Sequence, residues 1–128
     1  MNETLEDMKI MIVDDDPALC DALESTLRAT GFRVGKFSSA EEYLGHSERQ
    51  SASCLILDVR LPGISGIELQ HVLRETGCGV PIVFLTAHGD ATIQELVMQA
   101  GAVGFLTKPV RRNVLIQQVL SAVALGPK

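Results

Sequence analysis

Cys54-Leu55-Ile56-Leu57-Asp58-Val59-Arg60-Leu61-Pro62-Gly63-Ile64-Ser65-Gly66 is the stretch whose reading decides the fold. An apolar run ends in a carboxylate, a Pro-Gly turn follows, and a helix start comes next. A short apolar run bounded by turn signals reads as a buried strand, here residues 54–57. Ser65 followed three residues later by Glu68 is a capping box, opening a helix that runs to about Glu75. In an open α/β sheet, ligands bind beyond the carboxyl ends of the strands. Asp58 is therefore expected at the mouth of a crevice. Alone, it would be read more readily as a polar residue that happens to close a strand, so the rest of the chain has to decide.

Upstream, Lys9-Ile10-Met11-Ile12-Val13 is a second apolar run, followed at once by Asp14-Asp15-Asp16-Pro17. Asp16 suits a helix N-cap and Pro17 the first helical position. Leu19, Leu23 and Leu27 recur at helical spacing, with Ala22 and Thr26 filling the stripe, and Gly31 stops the helix. Phe32 to Phe37 reads as a weaker, alternating strand of the kind found at an edge. Ser38 and Ser39, each three residues ahead of a Glu, offer two capping boxes for a short second helix.

Downstream, Gly77-Cys78-Gly79 breaks the third helix, and Val80 to Leu85 is the fourth strand, closed by Thr86-Ala87-His88-Gly89. Asp90 can cap a fourth helix whose apolar stripe is Ile93, Val97 and Ala100, ended by Gly101. Val103 to Leu106 is the fifth strand, followed by Thr107-Lys108-Pro109. The last helix runs from about Arg111 to Ala124 with Leu115, Val119 and Val123 facing inward. Strand and helix alternate five times, which calls for an α/β fold: a five-stranded parallel sheet with helices on both faces. Residues 1–8 read as a flexible lead, 9–125 as one domain, and 126–128 as a tail or the start of a linker.

Composition sets the outer limits. The chain has 128 residues, 46% hydrophobic and 21% charged, which suits a globular domain with a real core. A net charge of −5 argues against direct nucleic-acid binding by this segment. No apolar run is long enough to span a membrane, and the acidic N-terminus is not a signal peptide. Cys20, Cys54 and Cys78 are odd in number and lack metal-type spacing, so they read as reduced thiols of a cytoplasmic protein.

Each informative polar residue follows a strand: Asp14, Asp15 and Asp16 the first, Asp58 the third, Thr86 the fourth and Lys108 the fifth. In the strand order 2-1-3-4-5 these ends meet around the switch point of the sheet. Converging carboxylates repel one another, so some stay protonated or a cation binds. Hard oxygen ligands with room for water suit Mg²⁺. A hydroxyl and an ammonium beside them suit the oxygens of a phosphoryl group. The crevice reads as an Mg²⁺-assisted phosphoryl-transfer site. Taken singly, Asp16 is better read as a helix cap than a ligand, Thr86 as a strand end, and Lys108 as a surface charge before a turn.

The combination resembles the receiver domain of two-component response regulators, a flavodoxin-like fold, over Lys9 to about Leu125. The matching residues are Ile12-Val13-Asp14-Asp15-Asp16-Pro17, Leu57 to Gly66, Leu85-Thr86-Ala87 and Lys108-Pro109. The stretch from Thr86 to Pro109 looks like the nitrogen-fixation-type branch, whose members often carry a helix-turn-helix output domain. The resemblance implies that Asp58 is the phosphoacceptor, taking a phosphoryl group from the histidine of a sensor kinase or phosphotransfer protein. It implies Mg²⁺ on Asp15, Asp58 and the Arg60 backbone carbonyl, with Asp14 acting directly or through water. It implies Thr86 and Lys108 on phosphoryl oxygens, a cis Lys108-Pro109 peptide, and Thr86 with Phe105 as the switch pair. The protein would be a regulatory phosphoacceptor rather than an enzyme with an external substrate, catalysing its own phosphorylation and dephosphorylation. Its output would run through the surface of helix 4, strand 5 and helix 5. Possible outputs are a homodimer formed on phosphorylation or a DNA-binding domain beyond residue 128 that regulates transcription.

A rival from the enzyme class is a small phosphatase of the haloacid-dehalogenase type with Asp14 as nucleophile and Asp16 as second acid. It leaves Asp58 without a role and has no cap insert. A Gly-rich nucleotide loop is missing after strand 1. His46 and His71 read as surface helix positions, His88 as a solvated loop residue, and Arg111-Arg112 as the exposed first turn of the last helix.

Overall fold

The computed structural model describes residues 4–87 and 91–126. Five strands form one parallel sheet in the order β2-β1-β3-β4-β5: β1 (Lys9–Val13), β2 (Arg33–Phe37), β3 (Cys54–Asp58), β4 (Ile82–Thr86) and β5 (Gly104–Thr107). Five helices cover it: α1 (Pro17–Thr30), α2 (Ala40–Leu44), α3 (Gly66–Glu75), α4 (Ala91–Gln99) and α5 (Arg112–Leu125).

The alternation of side chains along each strand divides the core in two. Ile10, Ile12, Ile56, Val83 and Leu85 pack against Cys20, Leu23 and Leu27 of α1 and Leu115, Val119 and Ala122 of α5. Met11, Val13, Leu55, Leu57 and Phe84 pack on the other face against Ala40 and Tyr43 of α2, Leu69 and Leu73 of α3, and Val97 of α4. Each fully buried aliphatic side chain of this set stabilises the fold by roughly 1.5–3 kcal/mol relative to its exposed state.

Local signals place the helix ends. The Asp16 carboxylate accepts from the N–H groups of Ala18 and Leu19, and Gly31 takes the left-handed conformation (φ 119°) that turns the chain into β2. Ser65 and Glu68 form the expected capping box of α3. At α2 the cap is Ser39, whose hydroxyl accepts from Glu42 N–H. Ser38 donates to the Glu42 carboxylate and caps nothing.

The structure departs from the sequence reading in several places. Strands β3, β4 and β5 end one residue later than expected, at Asp58, Thr86 and Thr107, because the ladder continues through Asp58↔Leu85 and Thr86↔Thr107. Of these last-rung residues Thr107 is exposed, while Asp58 and Thr86 are buried. The inward side of α1 carries Cys20, and Ala22 is exposed. In α5 it is Ala122 that is buried, with Val123 packed at the margin. His46 lies past the end of α2, its ring edge-on to Phe37 at 5.1 Å. Within the expected lead, Leu5–Asp7 forms a 3-10 turn, and Leu5 and Met8 pack against the core. Their spacing of three residues places both on one side of that turn. The expected Asp90 cap and His88 lie outside the described residues.

Candidate functional site

The site forms at the carboxyl end of the sheet, where β1, β3, β4 and β5 stop side by side. Asp14 follows β1 directly. Its Oδ1 accepts from Asp16 N–H at 2.9 Å, and its backbone carbonyl accepts from the Cys20 thiol at 3.3 Å. These contacts hold the β1–α1 turn so that the Asp14 carboxylate faces inward with 1% exposure, while Asp15 points to solvent. Asp58 closes β3, 5% exposed, and its Oδ1 accepts from Arg60 N–H at 3.0 Å. Behind it, α3 starts against the Asp58 main chain: a Cβ placed on Gly66 would fall 2.0 Å from the Asp58 carbonyl oxygen.

Lys108 reaches in from the end of β5, following a cis peptide to Pro109. Its backbone N–H donates to the Thr86 carbonyl at 2.8 Å, locking the β5 exit to β4. Its Nζ lies 3.0 Å from Asp58 Oδ2 and 2.9 Å from Asp14 Oδ2. The contact with Asp58 is a directed hydrogen bond. The ammonium lies off the hydrogen-bonding directions of Asp14 Oδ2. That fully enclosed oxygen has a positive charge beside it but no directed hydrogen bond among the described residues. Thr86 is buried at the end of β4. Phe105 is half-buried and packs against the α2–α3–α4 side of the core.

Electrostatics follow from this packing. Burial pushes the Asp58 carboxyl above its ordinary value, and the Asp14 charge adds to the push. The bonds from Arg60 N–H and Lys108 oppose it and lose. Burial alone would lower Lys108, but the carboxylates of Asp14 and Asp58 beside it outweigh that, and its net shift is upward. An isolated ion pair would lower its acid as it raises its base. Here both rise, because burial of the Asp58 carboxyl outweighs the pull of Lys108, while two carboxylates flank the one ammonium. The buried thiols of Cys20 and Cys54 are pushed up to about 11 and about 12, which keeps them inert at neutral pH.

Asp14, Asp15 and Asp58 each present a carboxylate oxygen, all within 4.8 Å of one another, a spacing that could hold a metal ion. The orphaned Asp14 oxygen suits a hard cation, which takes oxygen ligands without directional demands of its own. All the predicted polar residues thus meet at one end of the sheet, except Asp16, which is spent on its helix cap. Sequence reasoning missed two supports. One is the Cys20 thiol on Asp14. The other is Glu41, whose carboxylate sits beneath Gly63 and accepts from Ile64 N–H at 3.4 Å, bracing the loop after Asp58. No motif announces a contact across 23 residues.

The response regulator receiver domain model matches residues 10–120. The chain belongs to that family. It is 43% identical over 119 residues to the response regulator protein TodT of Pseudomonas putida, covering 93% of this chain and 52% of TodT. It is 37% identical over 114 residues to the transcriptional regulatory protein FixJ of Bradyrhizobium diazoefficiens, covering 89% of this chain and 56% of FixJ. Among solved structures, the response regulator StyR superposes with a TM-score of 0.86 at 40% identity, over 94% of this chain and 61% of StyR. This receiver domain therefore spans about half the length of the curated relatives it matches. The dehalogenase-type alternative is not favoured. The family match and the relatives are response regulators, and that alternative would leave Asp58 without a role.

Proposed function

We propose that this receiver domain accepts a phosphoryl group on Asp58 and converts it into a change of the α4–β5–α5 surface. The observation that carries the reading is the Lys108 ammonium set between Asp14 and Asp58, 2.9 and 3.0 Å away, with Asp15 beside them. In the transfer, an Asp58 carboxylate oxygen attacks phosphorus and the bond from phosphorus to the kinase histidine nitrogen breaks. The leaving nitrogen keeps the electron pair and later takes a proton from water. Asp58 Oδ1 is tied to a backbone N–H and Oδ2 to a long, partly exposed side chain. Lys108 is thus the partner that can swing from the carboxylate to a phosphoryl oxygen. Thr86, at the end of β4, would meet another.

Mg²⁺ would be held by Asp14, Asp15, Asp58 and the Arg60 carbonyl, and would neutralise charge on the transferring phosphoryl oxygens. It would also favour the ionised form of Asp58 against the burial that raises its pKa. Loss of the phosphoryl group to water at the same site would make the domain its own timer. The donor would be a sensor histidine kinase or phosphotransfer protein in the cytoplasm. No helix among the described residues is long and apolar enough to cross a membrane. The domain comprises residues 9–125, and a DNA-binding output domain would follow residue 128, as the half-length match to TodT and FixJ suggests.

For output, exposed Met98 of α4 would supply apolar contact area. Glu95 and Gln99, linked at 3.2 Å on α4, and exposed Arg111 and Arg112 supply polar groups for a symmetric dimer formed on phosphorylation.

Intact-mass spectrometry after incubation with acetyl phosphate and Mg²⁺ tests the reading. One added phosphoryl group is expected in wild type and none in Asp58→Asn. Equal incorporation in both would overturn it.

A further inference from the structure

β5 ends the sheet, and among the described residues no strand pairs with the backbone groups on its outer side. At Phe105 that side is nonetheless closed. Phe105 N–H donates to Gln118 Oε1 at 3.1 Å, and Gln118 Nε2 donates to the Phe105 carbonyl at 3.3 Å. A carboxamide that makes both bonds presents the same donor and acceptor as one residue of a neighbouring strand. Turning the amide over would set donor against donor and acceptor against acceptor, so a single orientation fits. Room for the group comes from Gly104, where a Cβ would fall 2.4 Å from Gln118 Oε1 and 3.2–3.3 Å from the Val83 methyls. The opposite edge has a one-point counterpart, Arg28 Nη2 donating to the Val34 carbonyl at 3.2 Å.

We propose that Gln118 is an edge clasp: it stands in for a sixth strand on β5 and keeps that edge from pairing with β5 of a second copy of this chain. A bare edge is a template for backbone pairing with another chain. A second copy offers the identical edge, and two β5 strands meeting antiparallel across a two-fold axis form a closed, self-complementary contact. With the clasp shut, association on this side of the molecule is left to side chains of α4 and α5.

The proposal is tested on the unphosphorylated protein, so its outcome is independent of the phosphoacceptor reading. Gln118→Met keeps the length of the side chain and removes both polar groups. At concentrations where the variant is still monomeric, Phe105 N–H should then exchange with solvent about tenfold faster or more, since roughly 1 kcal/mol of protection is lost with each bond. The β3 amides of Leu55 and Ile56 serve as the internal reference and should not change. Sedimentation over a rising concentration series should show the variant associating and the wild type remaining monomeric. Unchanged Phe105 exchange, or faster exchange with a variant that stays monomeric throughout, would overturn the proposal. Should the variant fail to fold, the wild type itself decides. The Gln118 side-chain amide protons should exchange more slowly than those of exposed Gln117, and equal rates would overturn the clasp.

Discussion

Lys108 donates a 3.0 Å hydrogen bond to Oδ2 of Asp58, across 50 residues of sequence. The resting site is thereby partly neutralised from within, and the cation proposed to meet the phosphoryl group already rests on the proposed acceptor. Lys108→Ala removes the positive charge between two buried carboxylates and should cost about 1–3 kcal/mol of stability in metal-free buffer. Added Mg²⁺ should recover much of the loss, because it supplies a replacement charge to the folded state alone. Thermal melts with and without Mg²⁺ check this. A loss that Mg²⁺ leaves untouched would mean the carboxylates do not share a cation site.

The raised carboxyl of Asp58 has a definite consequence for pH. A group whose pKa is higher in the folded state favours folding fully below its unfolded pKa and loses that contribution as pH rises through the folded value. Ionised Asp58 is therefore a liability at neutral pH without a cation. Asp58→Asn should melt higher than wild type at pH 7 in metal-free buffer, and the gap should close as pH falls through the raised Asp58 value. Lys108, also raised, favours folding below its ordinary pKa and withdraws that contribution only in strong alkali. A gap between the two proteins that is constant with pH would contradict the assignment.

Gly66 offers a steric test of how Asp58 is held. A methyl group there meets the Asp58 carbonyl at 2.0 Å, so Gly66→Ala should cost roughly 1–3 kcal/mol and slow phosphoryl uptake by displacing the carboxylate. Gly77 is the control: nothing lies within 4 Å of its added Cβ, and only its positive φ of 76° resists. Gly77→Ala should cost about 1–2 kcal/mol and leave uptake at the wild-type rate. Denaturant melts paired with uptake kinetics separate the two, and equal uptake in both variants would remove Gly66 from the positioning role.

The α4–β5–α5 face is tested by charge. Sedimentation with beryllofluoride, a phosphoryl mimic, should show the wild type shifting toward dimer and Glu95→Arg remaining monomeric. A wild type that stays monomeric at high concentration with the mimic bound would move the output to another protein or domain.

The strand ends and the polar residues that follow them were legible in the sequence for one reason, while the sheet order came from the resemblance. The residues that do the chemistry sit at strand ends, and strand ends are marked by an abrupt change from apolar to polar. That change put Asp14, Asp58, Thr86 and Lys108 at or just beyond strand ends, and only their joint pattern pointed to a site. What hid from the sequence was lateral. Cys20 rather than Ala22 faces the core from α1, because it stands three and seven residues before Leu23 and Leu27 on one stripe of the helix. The strand ends ran one residue further than hydrophobicity suggested, because ladder bonds continue past the last apolar side chain. Gln118 on Phe105 and Glu41 beneath Gly63 join elements that no local pattern connects.

The central claim is that Asp58, and no other carboxylate of the cluster, becomes phosphorylated. Borohydride reduction after treatment with acetyl phosphate and Mg²⁺ converts an aspartyl phosphate to homoserine, and peptide sequencing by mass spectrometry then reads the position. Homoserine at residue 58, absent when Mg²⁺ is withheld, is the expected result. Homoserine at residue 14 or 15, or an unmodified residue 58 in protein that has taken up phosphate, would contradict the account.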